Sequence, residues 1–84
     1  MRDSARIERI MHLVTTIWMQ QSDMRFHQLI DSLQYRYVQE HPEQKHLLKM
    51  YYEKDGHFES RIAKPDLFYV EDEDFEDFLR KFAK

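Results

Sequence analysis

The stretch Trp18-Met19-Gln20-Gln21-Ser22-Asp23-Met24-Arg25-Phe26-His27-Gln28-Leu29-Ile30 decides the fold. It closes one amphipathic pattern, breaks at Ser22-Asp23 and opens a second. Before the break, Ile7, Ile10, Met11, Val14, Ile17 and Trp18 recur at steps of three and four, with Arg6, Glu8, Arg9, His12 and Thr16 mostly off that stripe. Such spacing predicts a helix over about 4–20, capped by Asp3-Ser4. After it, Phe26, Leu29, Ile30, Leu33 and Tyr37 predict a second helix over about 24–39, with Ser22-Asp23 serving as turn and N-cap. A link of two or three residues makes the two helices antiparallel neighbours and brings Trp18 close to Phe26.

Pro42 ends the second helix, because proline removes a donor and disfavours helical geometry at His41. Residues 43–62 carry two patterns. The run Glu43-Gln44-Lys45-His46-Leu47-Leu48-Lys49-Met50 is made mostly of helix formers and favours a third helix over about 43–54, stopped by Gly56. The competing pattern is a β-hairpin turning at Asp55-Gly56, with Tyr51, Phe58 and Ile62 on one face. Pro65-Asp66 marks the next break, and Leu67-Phe68-Tyr69-Val70 reads as a short extended segment pressed onto the core. Asp72 then caps a last helix over about 72–83 with Phe75, Phe78, Leu79 and Phe82 inward. Acids in its first turn and bases in its last suit the helix dipole, and Glu76/Arg80 and Asp77/Lys81 are correctly ordered i,i+4 pairs. The expectation is a single all-α domain over residues 1–84, of three to four helices built on an antiparallel helical hairpin.

Composition bounds the chemistry. Eighty-four residues form one small domain with a core of modest size, and the 42% hydrophobic and 14% aromatic content opposes disorder. There is no cysteine, so neither disulfides nor thiolate metal ligands contribute. The net charge of −3 is concentrated at the C-terminal end, where residues 66–84 hold seven acids against Arg80, Lys81 and Lys84. That balance argues against direct phosphate-backbone binding. With neither a signal-peptide pattern nor an apolar run of membrane-spanning length, the expected location is the cytoplasm.

Three blocks of the chain resemble a group of short, uncharacterised bacterial and phage proteins. They are Met1-Arg2-Asp3 followed by Arg6-Ile7, then Ser22-Asp23-Met24-Arg25-Phe26-His27-Gln28-Leu29-Ile30, and Phe68-Tyr69-Val70-Glu71-Asp72 leading into an acidic helix. The layout is similar, more distantly, to the YihD-like family. Ser4 and Ser22 stand where the group tends to have proline. His27 stands where it tends to have glycine, so no close backbone approach is required there. The resemblance implies a small cytoplasmic helical domain and carries over no catalytic residue.

The remaining constellations point to binding rather than catalysis. His12, His27, His41, His46 and His57 show no i,i+4 pairing, so no metal site is expected. The run Glu71-Asp72-Glu73-Asp74 with Glu76-Asp77 lacks the D-x-D-x-D spacing and central glycine of a calcium loop. Ser22, Ser32, Ser60, Thr15 and Thr16 have no nucleophile motif around them, and a single glycine leaves no phosphate-cradling loop. The expectation is therefore a non-enzymatic protein-interaction or accessory module without cofactors, acting on a protein partner or through self-association. Two surfaces are candidates. One is the face of the second helix with Arg25, Gln28, Ser32 and Arg36; the other is the acidic rim Asp72, Asp74 and Asp77 with Phe78. The alternative is a nucleic-acid-linked regulator, as an acidic charge mimic or a weak helix-turn-helix binder.

Overall fold

The computed structural model describes residues 2–55 and 58–83, and the side chains of residues 2–50 and 63–83. Three α-helices and one antiparallel β-hairpin follow in the order α1 (Ala5–Met19), α2 (Phe26–Glu40), β1 (Leu48–Asp55), β2 (Phe58–Pro65) and α3 (Asp72–Arg80), with a 3-10 turn at Lys45–Leu47 before β1. The fold is mostly helical and not purely so. The chain divides into two compact units, one of residues 1–31 with 70–84 and one of residues 32–69, and α2 belongs partly to each.

In the first unit, α1 starts as expected. Asp3 Oδ1 accepts the Ala5 N–H at 3.0 Å, which satisfies one of the donors a helix start leaves open. Thr15 and Thr16 return their hydroxyls to the carbonyls four residues back, at 2.8 and 3.0 Å, so these polar groups are absorbed by the helix itself. Of the expected stripe, Val14 and Ile17 are buried, whereas Ile7 and Met11 are exposed. The link to α2 covers residues 20–25 and is longer than the expected turn. Its backbone continues in tight turns (Gln20 N–H to Ile17 O, 3.2 Å; Met24 N–H to Gln21 O, 2.9 Å), and the Trp18 indole N–H donates to Met24 O at 2.7 Å. Trp18 does meet Phe26, with ring centroids 5.4 Å apart. The N-cap of α2 is Arg25 and not Ser22-Asp23. The Arg25 N–H donates to Gln28 Oε1 at 3.0 Å while Arg25 O accepts the Leu29 N–H at 2.9 Å, the returning half of a capping box.

Within this unit α3 lies along α1. Ion pairs Arg2–Glu71, Arg6–Asp72 and Arg9–Glu76 ascend together, so α1 and α3 run in the same direction. Parallel helices bring their positive N-terminal ends together, an unfavourable arrangement that carboxylates at those ends offset. The N-cap of α3 is Glu71, one residue before the expected Asp72. Phe78 and Leu79 are buried at 2% and 0% exposure, and Phe75, Phe78 and Phe82 stack in sequence at 5.5 and 5.0 Å.

In the second unit, the favoured helix over 43–54 is absent and the hairpin alternative is present. β1 pairs with β2 from Leu48↔Pro65 to Asp55↔Phe58 without a bulge. The physical reason lies in the apolar pattern. A helix here would have carried only Leu47, Leu48 and Tyr51 inward, a thin stripe, while an extended chain over 48–55 pairs residue by residue with 58–65. Asp55 is a paired strand residue; the expected turn residue Gly56, with His57, lies outside the described residues, as do the side chains of Tyr51, Phe58 and Ile62. Tyr35 of α2 donates its hydroxyl to Ala63 O at 2.9 Å, tying helix to hairpin. Among the described side chains of this unit Leu33 and Tyr37 are also buried, and α2 ends where Pro42 requires. His41 stacks on Tyr37 at 4.1 Å and its Nδ1 meets Tyr37 O at 2.7 Å. No helix among the described residues is long and apolar enough to cross a membrane.

Candidate functional site

Two features stand out, one in each unit. In the first, Arg2 precedes α1, and Arg6 and Arg9 follow in its N-terminal half at a spacing of three that places these two on one side of the helix. α3 answers with Glu71, Asp72 and Glu76. Among the described residues Glu76 is the one buried charged residue, its side chain 6% exposed. Both of its oxygens accept from Arg9 Nε at 3.2 Å, and Arg80, one turn later on α3, closes onto Oε2. Arg9 also donates to Asp3 at 3.2 Å, and Asp77 lies 3.5 Å from Arg80. The Ala5 N–H, then the Arg9 guanidinium, hold the Asp3 carboxyl below the usual carboxylate range. Hydrogen bonds to Glu76 and Asp3 hold Arg9 above its ordinary value. An open cleft of about 430 Å³ runs along this row. Charge complementarity there is satisfied internally, within the chain.

In the second unit, the segment after β2 does not press onto the core as expected. Residues 68–70 form a turn that leaves Phe68 and Tyr69 82% and 86% exposed. Their rings meet edge-to-face at 5.0 Å. Asp66 fixes the base of the turn. Its N–H donates to Leu47 O at 2.7 Å, its Oδ1 accepts the Phe68 N–H at 3.2 Å and its Oδ2 meets Lys49 Nζ at 2.6 Å. The Lys49 ammonium, then the Phe68 N–H, hold this carboxyl below its usual range. The result is a pair of aromatic rings in water, carried by a backbone pinned at three points.

The residues singled out by sequence are dispersed. Phe78 is a core residue and presents no contact surface. Asp72 is engaged by Arg6 at 2.8 Å; Asp74 and Asp77 are exposed. Arg25, Gln28 and Arg36 are exposed, but Gln28 spends its side-chain oxygen on capping α2. Sequence reasoning missed Phe68-Tyr69 as an exposed pair. The available signal was Pro65-Asp66, since Asp followed two residues later by a free N–H favours a tight side-chain-closed turn. Among the described residues no group of three or more His, Asp or Glu could hold a metal ion. Compared with known proteins, the chain matches no family model, no curated protein and no solved structure.

Proposed function

We propose that this protein is a non-enzymatic protein-interaction module whose contact residues are Phe68 and Tyr69. The observation that carries this reading is their combined exposure and fixation: two large rings stand in water, and Asp66 holds the turn that bears them. Exposed aromatics of this kind are the residues that bury most on association, at about 150–250 Å² each. A pinned backbone lowers the ordering cost that binding otherwise incurs. The acids of α3 support the same reading by contrast. Glu71, Asp72 and Glu76 are already engaged by arginines of the same chain, so of the acidic rim Asp74 and Asp77 are the exposed members.

The test is a comparison of wild-type and Phe68→Ser/Tyr69→Ser protein as bait in extracts of the source cell, with quantitative mass spectrometry. The double variant keeps the wild-type circular-dichroism spectrum and loses at least one partner that the wild type retains. Identical partner sets for two equally folded baits overturn the proposal.

A further inference from the structure

The Phe68-Tyr69 turn is not held by its own residues alone. Asp66, the residue after β2, extends the hairpin ladder by one backbone bond, from its N–H to Leu47 O at 2.7 Å. Its carboxylate then reaches in two directions. Oδ1 accepts the Phe68 N–H at 3.2 Å, and Oδ2 meets Lys49 Nζ at 2.6 Å. Leu47 stands just before β1 and Lys49 within it, on the other side of the hairpin from the turn. Two of the three bonds that Asp66 makes to fix the turn therefore cross from the opposite strand.

The register explains the arrangement. Lys49 stands directly opposite Lys64, a pairing of like charges that disfavours closure at the open end of the hairpin. Asp66, two residues beyond Lys64, supplies the anion that offsets this pairing. The Lys49 ammonium acts on the Asp66 carboxyl more strongly than the Phe68 N–H or His46 does. With its side chain 58% exposed, Lys49 adds little to the stability of the whole fold through this pair. Its effect is local. A turn whose two rings stand in water gains nothing from burying them, so bonds at its base decide how often it opens. We infer that Lys49 is a positioning residue of the Phe68-Tyr69 site. Acting through Asp66 from the opposite strand, it holds the turn in the conformation that presents both rings, so that the site forms together with the open end of the hairpin. This inference rests on the reading of Phe68 and Tyr69 as contact residues, and adds the residue that sets their presentation.

The test is NMR on the free chain, reading exchange of the Phe68 amide and the Overhauser contact between the Phe68 and Tyr69 rings. Lys49→Met keeps the aliphatic stem and removes the charge. It leaves the melting midpoint close to that of the wild type, speeds exchange of the Phe68 amide by about threefold or more, and weakens the ring contact. Lys49→Arg restores both to wild-type values. Lys45→Met, which removes another exposed charge of the same unit, changes neither. In an Asp66→Asn background Lys49→Met has no further effect, because the two side chains act as one unit. Unchanged Phe68 exchange in Lys49→Met overturns the proposal. So does an equal acceleration in Lys45→Met, a failure of Lys49→Arg to restore the turn, or a full effect of Lys49→Met when Asp66 is already asparagine. The reading of the rings as contact residues fails separately, on Phe68→Ser/Tyr69→Ser keeping every wild-type partner, whatever the Phe68 amide does.

Discussion

Replacing Glu76 with glutamine isolates the charge that joins α1 to α3. The variant keeps the size of the side chain and removes the anion between Arg9 and Arg80. Two limits bracket the cost. Removing one partner of a fully buried pair costs about 3–5 kcal/mol, because the remaining charge is left uncompensated. Exposed pairs contribute about 0–1 kcal/mol. Here the carboxylate is 6% exposed while the Arg80 side chain is 54% exposed, so water reaches the cation but not the anion. The expected cost lies between the limits, at about 2–3 kcal/mol. For a chain of this size each kcal/mol lowers the melting midpoint by about 4–8 °C, so the midpoint should fall by roughly 8–24 °C. Thermal melts followed by circular dichroism at neutral pH provide the measurement. Glu73→Gln, at an exposed position on the same helix, serves as control and should stay within about 0.5 kcal/mol of wild type. If Glu76→Gln melts no earlier than the control, the ion-pair row is decoration and α3 is held by Phe78 and Leu79 alone.

Two further outcomes follow from the same geometry. Trp18→Phe keeps a ring against Phe26 but removes the donor to Met24 O, and should cost about 1 kcal/mol together with the smaller packed area, read from denaturant midpoints. Asp66 is held below its usual range when folded, so its contribution is complete above the unfolded carboxylate value and is lost as pH falls through the lower, folded one. Asp66→Asn should accordingly flatten the loss of stability on acidification without altering stability trends between pH 6 and 8, and chemical denaturation across that pH series would show an unchanged slope if the pair with Lys49 were unimportant.

The helices were legible because burial on one side of a helix writes a period into local sequence. Val14, Ile17, Leu29, Leu33, Tyr37, Phe78 and Leu79 sit on the stripes expected of them and are buried. The hairpin was harder because propensity and pattern disagreed over 43–54: residues 43–50 suit a helix in isolation, and what decides against it is pairing with 58–65, which no local window contains. The partner of α1 was illegible for the same reason. Arg2, Arg6 and Arg9 announce a charged face, but their acids lie more than sixty residues away in sequence. Phe68-Tyr69 was misplaced because apolar residues default to the core. Here, Asp66 closes a turn in which the two rings point outward. Gln28 shows the converse, a polar residue on a tidy outward stripe whose side chain is occupied in starting its own helix.

The claim on which the functional account stands is that Phe68 and Tyr69 are there to be bound. The most direct measurement is hydrogen exchange of the wild-type chain in the presence of a partner captured by it and not by Phe68→Ser/Tyr69→Ser. The account predicts that the amides of residues 66–70 slow on adding the partner while those of α1 do not change. Protection confined to α1 or to α3, with residues 66–70 exchanging as freely as before, would contradict it.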